Sequence, residues 1–148
     1  MKPLWLEIAE KEIGQHEIRG GENPRVIAYH STTTLGAKED EIPWCSSFVN
    51  WCMEQAGLKG TGSAAAKSWL EWGEELETPK IGCVCVIHTR IKNDGTTGSA
   101  SGYHVGFWIE QKNGRVTLLG GNQSDSVKLS TFALASYEVV SLRWPKLA

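Results

Sequence analysis

The sequence has no long apolar run. Its longest stretch without a formal charge is 95–109, rich in glycine, serine and threonine, and it is too short and too polar to span a bilayer. A basic excess is also missing: 15 lysines and arginines stand against 17 aspartates and glutamates, for a net charge of −2. Nucleic-acid binders and polybasic membrane anchors carry the opposite balance, so neither nucleic acid nor stable membrane insertion is expected. Met1-Lys2-Pro3 leads into a stretch carrying Glu7, Glu10, Lys11 and Glu12, not the apolar segment of a signal peptide. The expectation is a soluble product made in the cytoplasm. No internal repeat, low-complexity tract or linker interrupts the 148 residues. One domain over 1–148 is expected, large enough to bury a core without disulfides or metal.

Four cysteines and seven tryptophans are what the sequence does contain. Cys45 and Cys52 are seven residues apart on an expected helix, about 10 Å of rise and too far to bridge. Cys83 and Cys85 point the same way from an expected strand, which is poor disulfide geometry. The Cys-x-Cys pair with His88 nearby also lacks the spacing of structural zinc sites. Cys52, Cys83 and Cys85 therefore read as small buried hydrophobes, and neither metal nor cofactor is expected.

The first half of the chain reads as helices. Pro3 opens a pattern of Leu4, Trp5, Ile8, Ala9, Glu12 and Ile13 that stops at Gly14. Asn23-Pro24 opens a short helix to about His30, and a polar loop runs from Ser31 to Glu41. Pro43 precedes a helix over 45–56 with Phe48, Val49, Cys52, Met53 and Ala56 on its apolar face, ended by Gly57. Ser63 caps a fourth helix holding Ala64 to Leu70, ended near Gly73. The second half reads as strands at 83–88, 103–110, 115–119, 126–130 and 137–144, with a flexible loop from Asp94 to Gly102. Helices first and an antiparallel sheet afterwards define an α+β fold.

Cys45 falls in the first turn of its helix, after a proline-bounded loop. The helix dipole and unpaired N–H groups at that end favour thiolate over thiol, and the thiolate is the competent nucleophile. A base must accompany it. His16 and His30 read as surface or capping residues, and His88 ends a strand beside a loop. His104 differs, because Gly102 and Gly106 leave room for another chain to approach its ring.

Hairpin register nominates a third group. With a three-residue turn, Lys112-Asn113-Gly114, Gln111 faces Arg115 and His104 faces Asn122. With a two-residue turn, Asn113-Gly114, Gln123 faces His104 instead. Either is an amide within hydrogen-bond reach, and a bulge at Gly120-Gly121 would shift the register. Glu110 shares the face of His104 but sits about 20 Å along the strand, too far to orient the ring.

Trp44-Cys45-Ser46-Ser47-Phe48-Val49-Asn50-Trp51, Gly62-Ser63-Ala64 with Trp69, Gly102-Tyr103-His104-Val105-Gly106 and Gly120-Gly121-Asn122-Gln123 together resemble the CHAP and NlpC-type cysteine peptidases. The resemblance runs from about Leu4 to Trp144 and is nearest to a compact subgroup found in phage endolysins. It implies a papain-like fold, with N-terminal helices packed on a C-terminal antiparallel sheet. It further implies Cys45 as nucleophile, His104 as general base and then acid, and Asn122 as the orienting residue. Many CHAP members carry a glutamate two residues before that asparagine. Gly120 stands there, so a triad is expected in place of a four-residue arrangement.

The resemblance also implies a substrate, the peptidoglycan stem peptide or the amide joining it to muramic acid, and bacterial lysis as the outcome. The backbone amide of Cys45 is the expected oxyanion donor. Trp44, Tyr103, Trp108 and Gln123 are the candidate substrate-binding residues. Trp44 would line the cleft, and Trp108 would either wall the pocket or pack on a helix. Trp51 and Trp69 belong to the core. A monomer is expected, acting on the wall after holin-type release or secretion. An endolysin and a secreted antibacterial effector share this chemistry, while a wall-binding module with a dead site, or a zinc enzyme, would not.

Overall fold

The computed structural model describes residues 2–16, 24–32, 44–63, 65–90, 102–123 and 126–146, without the side chains of Ile27, His30 and Asn122. Most of the expected loops at 31–41 and 94–102, together with Asn23, Pro43 and Ala64, lie outside the described residues.

Three α-helices form where the apolar spacing requires them: α1 (Leu4–Lys11), α2 (Pro24–His30) and α3 (Cys45–Gln55). Glu7 in the first turn of α1 and Lys11 in its last complement the helix dipole. Gly57, at φ 79°, supplies the left-handed residue that ends α3. The expected fourth helix is a 3-10 helix, Ala66–Glu71. With three residues per turn, positions i and i+3 align, and Trp69 meets Trp72 edge-on at 4.8 Å. That pairing favours the tighter helix.

The strands are β1 (Glu74–Glu75), β2 (Val84–Thr89), β3 (Tyr103–Lys112), β4 (Arg115–Gln123), β5 (Ser126–Ala133) and β6 (Tyr137–Trp144). They make one antiparallel sheet in the order β1-β6-β2-β3-β4-β5. β1 is the one strand the sequence pattern did not announce.

The sheet cannot be flat. β5 and β6 are joined through 134–136 alone, a link that reaches about 14 Å. In a flat sheet the two strands would stand four spacings apart, about 19 Å. The sheet therefore curls towards a half-barrel with two apolar faces. Val84, Val86, Val105, Phe107, Leu119 and Val127 pack against the helices. Cys85, Ile87, Val116 and Leu118 fill the other face, with Trp108, Phe132, Tyr137 and Val139 packed against them. Alternation along β2 and β3 sends neighbouring residues to opposite faces. That explains why β2 reads as an unbroken apolar run.

α3 lies across β3 and β4, held from behind by an aromatic wedge. Tyr29 stacks on Trp44 at 5.7 Å and meets Phe48 and Trp51 edge-on. Its hydroxyl donates to Glu12 Oε1 at 2.8 Å, and the same carboxylate oxygen pairs with Arg25 Nε at 3.0 Å. This ties α1 and α2 to the start of α3.

Candidate active site

Cys45 is the first residue of α3, and Trp44, its cap, offers no side-chain acceptor to the helix amides. The start of α3 is thus a place where backbone N–H groups can turn to an anion. His104, the second residue of β3, lies opposite Ile87 on β2 and beside the ring of Phe132 at 5.5 Å. Cys45 is 3% exposed and His104 1%, so their interaction is barely screened by water.

Gln123 completes the arrangement. Its Nε2 donates to Lys128 O at 2.8 Å and to Leu118 O at 3.2 Å. Two backbone carbonyls thereby fix which way the amide points, and Oε1 must accept from His104 Nε2, at 2.9 Å. The neutral ring then carries its proton on Nε2, leaving Nδ1 as the basic nitrogen. Nδ1 is buried and makes no hydrogen bond to any oxygen or nitrogen, and the Cys45 thiol is the titrating group that acts on the ring. The Cys45 thiol acts on the ring through its charge and through a side-chain hydrogen bond, the contact a nucleophile and its base require.

The electrostatics polarise the pair. Burial pushes the Cys45 thiol up, but the charge of His104, with the backbone amides of Val105 and Ser46, brings it below the ordinary thiol range. Burial pulls the His104 ring down, but the charge of Cys45 and the Gln123 hydrogen bond raise it above the ordinary imidazole range. Both shifts favour thiolate beside imidazolium. The other thiols go the opposite way: burial raises Cys52 and Cys85, and pushes Cys83 up to about 11. All four cysteines are unbridged.

Glycines make the space that the amide occupies. A Cβ on Gly120 would stand 2.6 Å from Gln123 Oε1, and one on Gly121 would stand 2.7 Å from the Trp44 ring. The Gln123 amide fills the volume that a side chain at position 120 would take.

Among the described residues, the amide found on His104 is Gln123, not the expected Asn122. The Asn122 side chain lies outside the described residues. Register arithmetic could not decide between them, because the register shifts once within the hairpin and once between β4 and β5. Its turn has two residues, with Lys112 opposite Arg115 and positive φ at Asn113 and Gly114, the geometry of a type I′ turn. A bulge between Trp108 and Glu110 then moves the pairing to Trp108–Leu118 and Phe107–Leu119. β4 and β5 change register again between Gly120 and Gln123, and it is Gln123 that reaches His104.

Two further expectations are corrected. Trp44 is fully buried between Tyr29 and the Gly121 backbone, so it belongs to the core and does not line a cleft. Trp108 shares the face of His104 but packs into the sheet's second apolar cluster, not on a helix. Tyr103 is half-buried with its ring 4.4 Å from His88. Among the described residues, no cluster of acidic, histidine and cysteine side chains could hold a metal ion.

The sequence model of the CHAP domain matches residues 37–122, more than half of the chain. The chain belongs to the CHAP family. The matched span holds Cys45 and His104 and stops one residue before Gln123.

Two solved structures resemble the fold. One is a protein of Staphylococcus aureus described as similar to a lipoprotein of the NLP/P60 family, with TM-score 0.52 and 16% identity, covering 97% of this chain and 41% of that one. The other is the peptidoglycan hydrolase RipB from Mycobacterium tuberculosis, with TM-score 0.52 and 15% identity, covering 98% of this chain and 64% of that one. The CHAP chain thus spans less than two thirds of either neighbour. At these identities the likeness establishes the fold alone, an α+β papain-like fold. No curated protein matches the chain in sequence.

Proposed function

We propose that the chain is a peptidoglycan hydrolase that cuts an amide in or beside the stem peptide through Cys45, His104 and Gln123. The observation that carries this reading is the buried, polarised Cys45–His104 pair whose imidazole is held by a Gln123 amide of fixed orientation. CHAP membership and the likeness to a peptidoglycan hydrolase support the substrate class.

The chemistry is acyl transfer. His104 Nδ1 takes the Cys45 proton, and the thiolate attacks the substrate carbonyl, forming a C–S bond. The oxyanion is held by backbone N–H groups at the start of α3, the Cys45 amide first among them. Collapse breaks the C–N bond, and His104 returns the proton to the leaving amine. Water, deprotonated by His104, then attacks the thioester and releases a carboxylate and the free thiol. Gln123 stabilises the imidazolium that forms twice on this route.

The reading extends to a phage endolysin-like role in bacterial lysis. Peptidoglycan lies outside the cytoplasmic membrane, so the enzyme would reach it by holin-type release or by secretion; delivery as an antibacterial effector uses the same chemistry. Digestion of purified sacculi followed by mass spectrometry tests the reaction. New free amino groups on alanine identify an amidase, and new ones on diaminopimelate an endopeptidase. Sacculi cleaved at the wild-type rate by a folded Cys45→Ala variant would overturn the mechanism.

A further inference from the structure

A buried asparagine sits in the interior of the nucleophile helix, one turn past Ser46. Asparagine is a poor helix former because its amide competes for backbone groups, and Asn50 is 1% exposed. Every part of its amide is engaged. The two hydrogens on Nδ2 are shared among Ser46 O at 3.2 Å, Ser63 O at 3.1 Å and Thr61 Oγ1 at 3.3 Å. Oδ1 accepts from the Gly62 amide at 2.9 Å. Gly60 has to be glycine here, since a Cβ would collide with Asn50 Oδ1.

The strap at 60–63 is fastened a second time, through Ser46. Ser46 Oγ donates to Ser63 O at 2.7 Å and accepts from Trp69 Nε1 at 2.8 Å. Ser46 and Trp69 are fully buried. The strap's own groups turn inwards: the Ser63 carbonyl takes Ser46 and Asn50, the Gly62 amide takes Asn50, and the Ser63 amide takes Thr61 Oγ1 at 3.2 Å. Groups satisfied in this way are not set out to read a substrate. They converge on the residue next to Cys45, whose backbone amide faces the Cys45 sulfur.

We propose that Asn50 is a positioning residue for the nucleophile: by bolting the Gly60–Ser63 strap to Ser46, it locks the first turn of α3 and keeps the Ser46 amide aimed at Cys45. Gln123 performs the matching task on the histidine side, so each half of the pair has its own amide support. This inference rests on Cys45 being the nucleophile. A buried network whose groups are all satisfied rigidifies its surroundings, and an amide displaced by a fraction of an ångström loses most of its hold on an anion.

The test is the pH dependence of Cys45 alkylation by iodoacetamide, with the modified residue identified by mass spectrometry. It is run on wild type, Asn50→Ala, Ser46→Ala and Ser68→Ala, beside kcat and KM on sacculi. Ser68 Oγ donates to Thr61 Oγ1 at 2.8 Å, at the far end of the same network. Ser68→Ala should therefore lower the melting temperature without moving the profile. Asn50→Ala should move the profile up by about one pH unit, slowing alkylation at pH 6 about tenfold, and should lower kcat similarly at unchanged KM. Should Asn50→Ala fail to fold, Ser46→Ala, which keeps the asparagine but removes the second fastening, carries the same expectation. A wild-type profile and kcat in either folded variant would overturn the proposal, as would a Ser68→Ala shift equal to that of Asn50→Ala. Absence of low-pH alkylation at Cys45 in wild type would instead remove the nucleophile assignment itself.

Discussion

The start of α3 and the middle of β2 both bury a thiol, and the two thiols behave oppositely. Cys45 is 3% exposed and Cys85 is 0% exposed. Burial penalises the thiolate at both places. Around Cys85 nothing offsets that penalty, and the neighbouring Cys83 adds to it. Around Cys45 an imidazole and two backbone amides outweigh it. Reactivity therefore does not follow from cysteine burial. It follows from what the fold aims at the sulfur, which at Cys45 is a helix start, a strand end and an amide that holds the histidine.

The largest effect comes from making the α3 site resemble β2. His104→Ala leaves Cys45 with its burial and its amides but without the opposing charge. Its pKa should rise into the range of the other thiols. Alkylation at pH 7 is expected to fall by about a hundredfold, and sacculus hydrolysis by roughly 10³–10⁴-fold. Site-resolved alkylation measures the first, and a Cys45 that stays as reactive as in wild type would break the comparison.

A smaller change sharpens it. Gln123→Ala keeps both members of the pair but removes the acceptor that favours the imidazolium. The sign follows from the shifts. Activity requires thiolate beside imidazolium, so its acid limb lies below the ordinary thiol value and its basic limb above the ordinary imidazole value. The Gln123 bond raises His104, so its loss should draw the basic limb to lower pH and leave the acid limb nearly in place. kcat is expected to fall about 10- to 100-fold with KM little changed, since the amide holds the ring and not the substrate. A kcat–pH profile whose basic limb does not move would assign the orienting role elsewhere, Asn122 included.

The two halves of the site differ in how far the sequence reveals them. Cys45 is local: a proline, a helix pattern and a glycine stop place it in a first turn before any tertiary contact is known. The helices and five strands are legible for the same reason, through periods of 3.6 and 2. Gln123 is not local. It depends on a two-residue turn at Asn113-Gly114, on a bulge near Ile109 that moves the residue facing β3 by one, and on an irregularity between β4 and β5 after Gly120. Gly120 was the available signal, since a glycine where the family often places a carboxylate leaves a volume for another side chain to enter. Trp44 misleads for a related reason. Adjacency to Cys45 in sequence says nothing about direction, and the Tyr29 wedge with Gly121 behind it turns the indole inwards.

The smallest effect is expected at β2 itself. Cys85 packs with Ile87, Val116 and Leu118 on the face of the sheet away from the helices, and the mechanism asks nothing of its sulfur. Cys85→Ala removes one buried atom and leaves a small cavity, which should cost about 1 kcal/mol and lower the melting temperature by about 2–4 °C. kcat and KM should be those of wild type, as should the pH profile of Cys45 alkylation. Unaltered kinetics at a measurably lower melting temperature would mean that a thiol 0% exposed in the second cluster serves packing alone. A changed alkylation profile would mean instead that the curl of the sheet couples β2 to the position of His104, through the Ile87–His104 pairing, and that the two thiols are less independent than their opposite shifts imply.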